Sequence, residues 1–433
     1  MRLFLLLFAL TIAHIAVAQS QPTAIEEFVD LQKQAHAAKE AGDQRARIAV
    51  ILKLQKFLNN EALAIETTAQ AYAEAGDTPR AIAALRQFAG MGQVDEKLLN
   101  RKFEGKLAAF AALANLPEYQ SILKSFAANQ TPVMLATTLF ALPDPGLLAE
   151  DIDYDARSPS FLITSVLEKK IVRVTLDGKS TEFARSPSDW PLLAIKIDSA
   201  RNLVWATEVA LDGFAVAPKG DWGRSALLCF DLHSGKLLRR IEGPAHTSLG
   251  DMVLTGAGEP IVSDGEGGGV YLLKGDALER VDGGDFISPQ TPALLPGGHA
   301  ILVPDYARGI GMLDLATKHV IWLNNIRDGV TPATHTLGGI DGLYFDQDSL
   351  IATQNGTSPE RVVRFKLDAA RSAVVGEQII ERSTTTLGDP THGVIVGDFF
   401  YYIANSGWSE LDDHGNVKTG SRLTPALIMR VRR

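Results

Sequence analysis

Six positions of this 433-residue chain stand at the start of matching short apolar runs: Glu150, Leu193, Gly250, Gln290, Asp341 and His392, with Asp251 one step inside the third run. They are separated by 43, 57, 40, 51 and 51 residues. Together the carboxylates, amide and imidazole are an oxygen-rich donor set for a hard divalent cation, calcium foremost, with magnesium, manganese or zinc also compatible. Such a cation polarises a carbonyl or makes hydroxide from bound water near neutral pH. On this reading Glu150, Gln290, Asp341 and Asp251 are candidate metal ligands, and His392 is a candidate catalytic group. His392 fits three roles: ligand, general base, or hydrogen-bonded channel residue. None of these residues is close to another in sequence, apart from Gly250 and Asp251, so the fold must bring them together.

The elements that would do so are legible from about residue 149 onward. Short alternating strands are separated by Gly, Asp and Pro turns, an all-β pattern. One arrangement recurs: a polar residue, an apolar strand, a turn, a second strand ending in Ser, Thr or Asp, a loop and a third strand. Phe161-Leu162-Ile163-Thr164-Ser165, Leu203-Val204-Trp205-Ala206-Thr207 and Pro260-Ile261-Val262-Ser263-Asp264 are three of the second strands. Six copies at this spacing predict a six-bladed β-propeller of four-stranded blades over residues 134–433, with an insertion near 209–223. The innermost strand of each blade runs along the central channel, so the six starting positions would meet at one mouth. Residues 134–142 are placed to supply the outer strand of the last blade and close the ring.

Residues 22–130 follow another period. They are rich in Ala, Leu, Lys, Glu and Gln, and their apolar positions recur at three and four residues, which predicts helices. Glu40-Ala41-Gly42-Asp43 returns 34 residues later as Glu74-Ala75-Gly76-Asp77, the period of a tetratricopeptide-like helix-turn-helix unit. Ala69, Tyr72, Gly76, Ala81 and Leu85 stand where such a unit packs its crossing. A third, degenerate copy is expected over residues 107–126. So short a helical array must bury one end, and the propeller is its obvious neighbour.

The first residues read as an exported leader. Arg2 precedes an apolar run over residues 3–13, and Ala16-Val17-Ala18 offers a small-x-small cleavage site, which gives a signal peptide at 1–18. No later run is long enough to span a membrane after that cleavage. The single cysteine, Cys229, rules out an intrachain disulfide, which suits a bacterial periplasmic or secreted protein stabilised by its core. A formal charge of -9 gives no overall cationic surface for nucleic acid. Neither a GxSxG elbow nor an HExxH helix is present, and Gly265-Glu266-Gly267-Gly268-Gly269 reads as a hairpin turn. The polar loops Asn355-Gly356-Thr357-Ser358-Pro359-Glu360-Arg361 and Asn405-Ser406-Gly407-Trp408 belong to adjacent blades, where they fit either substrate contacts on one rim or ordinary turns.

Three segments carry a resemblance: Glu150-Asp151-Ile152-x-Tyr154-Asp155; Ser288-Pro289-Gln290 through Pro296-Gly297-Gly298 to Val303-Pro304-Asp305-Tyr306; and Asp341-Gly342-Leu343. They resemble the regucalcin/gluconolactonase family and, more loosely, the propeller group that includes paraoxonase and strictosidine synthase. The resemblance covers roughly residues 135–433 and none of the helical part. It implies a six-bladed propeller with a divalent metal at the channel mouth, held by a glutamate, an aspartate and asparagines, and hydrolysis of sugar lactones or related esters. Glu150 matches the glutamate, and Asp341 the aspartate that is ligand and base. Gln290 stands where the family has one asparagine. The other asparagine position falls at Leu249 or Gly250, which cannot coordinate through a side chain. Asp251 could substitute if strand alternation does not turn it away. Two functions follow as expectations: an exported metal-dependent hydrolase taking a small lactone or ester, or a non-catalytic propeller whose helical repeats dock a protein partner.

Overall fold

The computed structural model describes residues 22–323 and 334–433. The expected leader at 1–18 lies outside the described residues. The N-terminal region forms helices α1 (Ala24–Glu40), α2 (Gln44–Phe57), α3 (Ala62–Glu74), α4 (Thr78–Gly90), the single turn α5 (Glu96–Leu99) and α6 (Pro117–Asn129). The repeated Gly-Asp is a punctuation device. Gly42 and Gly76 adopt φ of +70° and +74°, and Asp43 and Asp77 then cap α2 and α4 through the N–H groups of Ala46 and Arg80. Ala69, Tyr72, Ala81 and Leu85 are buried in the helical core. The expected third copy differs: residues 105–113 form a 3₁₀ helix, and only α6 is a regular α-helix.

Beyond residue 148 the chain forms six antiparallel sheets arranged as propeller blades. The innermost strands are Ala149–Asp155, Leu192–Asp198, Leu249–Leu254, Ala293–Leu294, Gly342–Asp346 and Gly393–Val396, for blades 1 to 6. The 209–223 region of blade 2 is a long connection between strands Leu203–Ala210 and Arg224–Asp231. Ring closure is as the sequence predicts: Thr137–Ala141 pairs with Leu427–Arg432 as the outer strand of blade 6. Val133–Met134 adds a short fifth strand to blade 5.

Closure joins the two ends of the ring, so it should control solubility. Replacing Thr138 and Phe140 together by proline removes ladder hydrogen bonds and the Phe140 ring that packs on Phe161. We expect a lower melting temperature and aggregation on size-exclusion chromatography; an elution profile and melting temperature unchanged from wild type would refute the closing role of this strand.

The helices rest on the propeller face where the innermost strands begin. Ala24 N–H donates to the Gly284 carbonyl (2.8 Å), Asn59 to the Arg308 carbonyl (2.8 Å), and Val94 N–H to the Ser358 carbonyl (2.6 Å). Gly284 lies in the loop entering blade 4. Arg308 and Ser358 lie in turns between second and third strands, which an up-and-down blade places on that same face. Arg308 adds a cation–π contact with Phe57, 4.3 Å from the ring centroid.

Candidate metal centre at the channel mouth

The hydroxyl that recurs on the second strands of blades 1, 2, 3 and 5 has a structural task. Thr164, Thr207 and Thr353 accept from the innermost strands at Asp151, Ala194 and Gly342 N–H, at 2.9, 3.0 and 2.8 Å. Thr164 and Ser263 donate across to the next blade, to the Leu193 and Gln290 carbonyls, at 2.5 and 2.7 Å. The residue that follows ties down the entering loop: Asp264 accepts from Ser248 N–H and Asp305 from Ile287 and Ser288 N–H. These groups satisfy backbone donors and acceptors that would otherwise be orphaned in the channel wall.

Strand alternation does not decide where the mouth residues point, because the innermost strands of blades 1, 2 and 3 each bulge at their start. Pairing steps from Ala149↔Ser165 to Ile152↔Ile163, from Leu192↔Glu208 to Ile195↔Ala206, and from Leu249↔Asp264 to Asp251↔Ser263. Each step inserts one extra residue on the innermost strand and breaks the period of two. Glu150 and Asp151 are consequently both buried, and Asp251 faces across the channel.

Glu150 from blade 1, Asp341 from blade 5 and His392 from blade 6 each offer one ligand atom, all within 4.8 Å of one another. Each carboxylate is oriented through one oxygen. Trp408 Nε1 donates to Glu150 Oε2 (2.6 Å), and Asn355 Nδ2 donates to Asp341 Oδ2 (2.7 Å), with Asn355 Oδ1 accepting from Tyr306 (3.0 Å). Asp251 Oδ1 accepts from Thr291 Oγ1 and pairs with His392 Nε2, both at 2.6 Å. The second oxygen of all three carboxylates makes no hydrogen bond among the described residues.

Electrostatics match this crowding. Burial raises Glu150 to about 8, opposed by His392 and the Trp408 bond and reinforced by Asp341 and Asp251. Burial likewise raises Asp341 to about 6, with His392 and the Asn355 bond opposing and Asp251 adding to the rise. His392 is the countercharge. Burial works against its protonation, yet Asp151, Asp251 and Asp341 hold its pKa well above the ordinary imidazole value. Its Nδ1 donates to the Glu150 carbonyl (2.8 Å) while Nε2 meets Asp251, so both nitrogens are hydrogen-bonded. In this geometry His392 bridges blades 6 and 3 through Asp251 and is also one of the three groups placed to hold a metal.

The amide nitrogen of Gln290 donates to Ser288 Oγ (3.0 Å) and to the Ser288 carbonyl (3.3 Å). Asn355, Tyr306, Trp408 and Thr291 are the site residues that the repeat spacing did not mark. Asn355 and Trp408 did lie in the two polar loops singled out in the sequence, but nothing local assigns them to Asp341 and Glu150. Cys229 is buried, and burial pushes its thiol up to about 11, the behaviour of a core residue.

The blade 2 connection and the long loop of blade 6 meet on the mouth face, where Phe214 packs on Trp408 at 5.9 Å and Ala215 N–H donates to the His414 carbonyl (2.8 Å). Further along the innermost strands lies a cavity of about 260 Å³, bordered by Asp153, Lys196, Thr291 and Tyr344 among apolar side chains. Lys196 is held there by Asp151 at 2.6 Å.

A divalent cation fits this donor set. Three carboxylates each hold one oriented and one uncommitted oxygen, and oxygen donors of this kind leave remaining positions to water, as calcium, magnesium and manganese accept. Glu150 and Asp341 would hold it, with His392 the third group of the cluster and Asp251 hydrogen-bonded behind His392.

No helix of the described residues is long and apolar enough to cross a membrane. No protein-family model matches the chain, and no curated protein matches it. Among solved structures, the chain is similar to the PQQ-bound aldose sugar dehydrogenase of Streptomyces coelicolor, with 15% identity over 69% of this chain and 99% of that one and a TM-score of 0.46. It is also similar to a gluconolactonase of Xanthomonas campestris, with 13% identity over 69% and 89% and a TM-score of 0.46. A third is virginiamycin B lyase of Staphylococcus aureus, with 13% identity over 69% and 99% and a TM-score of 0.44. Likeness at this level concerns architecture and says nothing about chemistry.

Proposed function

We propose that the protein is an exported, metal-dependent hydrolase of the lactonase or esterase type, acting on a small molecule at the channel mouth. The observation that supports this most is the group of buried carboxylates, each oriented through one oxygen and uncommitted at the other. A bound divalent cation, calcium foremost, would supply Lewis acidity toward the scissile carbonyl. Asp341, raised to about 6, is deprotonated near neutral pH and basic enough to take a proton from an attacking water. Asn355 and Tyr306 keep its carboxylate in one orientation. The His392 cation offsets the negative charge of the mouth and of a carboxylate product. The helical hairpins, with their 34-residue echo, are read as tetratricopeptide-like, with a protein partner as their further role.

The test is a panel of lactones and aryl esters supplied with calcium, manganese or zinc. Turnover that a chelator removes and the metal restores is the expected result. Turnover surviving in Asp341→Ala would overturn the mechanism, and silence across the whole panel would replace it with the binding-only propeller.

A further inference from the structure

We infer that Glu61 and Gln93, both from the helical region, are positioning residues for the channel mouth: they fix the two loops that present Asp341 and Asn355. The inference rests on the reading of the mouth as a metal site.

Glu61 is buried against the loop that precedes Asp341. Its Oε2 accepts from Thr336 Oγ1 (2.7 Å), Leu337 N–H (3.0 Å) and Gly338 N–H (2.9 Å). Glycine at 309 keeps room for it, since a Cβ there would lie 2.7 Å from Glu61 Oε1. A buried carboxylate is an expensive way to glue two domains, because well-packed apolar side chains hold as firmly. What the carboxylate adds is geometry: three consecutive donors of one loop are aimed at a single oxygen.

The same loop is gripped from its other side. Gln354 Nε2 donates to the Thr336 and Gly338 carbonyls at 3.1 and 2.8 Å, and Arg361 Nε holds Gln354 Oε1 at 2.6 Å. The next residue is Asn355, the partner of Asp341. Three residues further, Ser358 is held by the helical region twice, its carbonyl by Val94 N–H (2.6 Å) and its N–H by Gln93 Oε1 (3.2 Å). Gly356 N–H donates to the Gly339 carbonyl (3.1 Å), and Gly339 N–H to the Tyr306 carbonyl (2.8 Å), so both loops and the Tyr306 support are one hydrogen-bonded unit. Glu61 and Gln93 clamp this unit at its two ends. Partners of this kind, which orient a ligand without touching the metal, typically change affinity about 10- to 100-fold.

The experiment uses the full chain and manganese as probe, with calorimetric affinity and hydrogen-exchange mass spectrometry read together for wild type, Glu61→Ala, Glu61→Gln, Gln93→Ala and Asn59→Ala. Asn59→Ala removes a docking bond to blade 4 and touches neither loop. Expected are an affinity loss of about tenfold or more in Glu61→Ala, faster exchange at residues 339–343 and 354–358, and unchanged exchange in blades 1 and 2. Glu61→Gln, which keeps an acceptor oxygen, should recover most of the affinity, and Asn59→Ala should behave as wild type. Gln93→Ala should shift exchange at 354–358 in the same direction, and it carries the test if Glu61→Ala does not fold. Equal losses in Glu61→Ala and Asn59→Ala, or no change at 339–343, would overturn the inference. If wild type binds no manganese, the metal reading fails, and the exchange data alone decide the clamp.

Discussion

Replacing Asp341 by alanine is expected to remove the bound divalent ion and, at the same time, to leave the fold as stable as before or more so. The first effect follows from the donor set: with two carboxylates and an imidazole converging there, losing the carboxylate oriented by Asn355 removes a ligand and a negative charge together, and we expect affinity to fall by about 100-fold or more. The second follows from mutual repulsion. Asp341 is one of the groups that raise Glu150 to about 8, so its removal lets Glu150 ionise at lower pH and relieves like-charge strain. Groups assembled for function at a cost to stability show this trade when truncated. Plasma mass spectrometry of the purified variant beside wild type, with thermal unfolding of both in chelator, checks the two effects separately. Metal retained in Asp341→Ala would remove the mouth from consideration as the metal site, and a large loss of stability would mean that Asp341 is structural.

The second large effect concerns the bridge between blades 6 and 3. His392→Ala should destabilise by about 3–5 kcal/mol, because it strands the buried carboxylates of Asp251 and Asp341 without their countercharge, whereas Asp151 keeps Lys196. Asp251→Ala removes the partner but leaves His392 near other carboxylates, so its cost should be smaller. The double variant should cost less than the sum of the two. The bridge also sets a pH dependence. The imidazole has a folded-state pKa raised well above its free value near 6.5, so the folded state holds this proton more tightly than the unfolded state. Its stabilising contribution is therefore complete below about pH 6.5 and is lost as pH rises through the raised value. Unfolding of wild type and His392→Gln between pH 5 and 10 should converge on the alkaline side. Parallel curves over that range would show that the imidazole is neutral in the fold.

Much of the architecture was legible because its signals are local. The blade grammar rests on alternation and on Gly, Asp and Pro turns, and the helical echo on a left-handed glycine followed by an Asp cap at Asp43 and Asp77. Ring closure by the segment ahead of blade 1 followed from the need to leave no open edge. The convergence of Glu150, Asp341 and His392 was readable from register alone, since equivalent positions of successive blades must meet at one mouth.

Other features were invisible for the converse reason. The bulges that bring Asp251 into the channel leave no residue signature, and alternation alone left its direction open. Register marked Gln290 and His392, but the bonds of the Gln290 amide nitrogen to Ser288 and of the His392 ring to Glu150 and Asp251 have no local signal. Glu61 lies 275 residues from Thr336 and reads as an ordinary residue ahead of a helix.

By itself, then, the sequence determined the elements, their order and the ring, because turns, caps and strand periods are decided by neighbours a few residues away. Which oxygen of each carboxylate stays uncommitted, which imidazole is charged, and which helix end holds the Asp341 loop were decided only in the tertiary structure. Those properties depend on burial and on partners that meet only when distant blades and the helical region pack together.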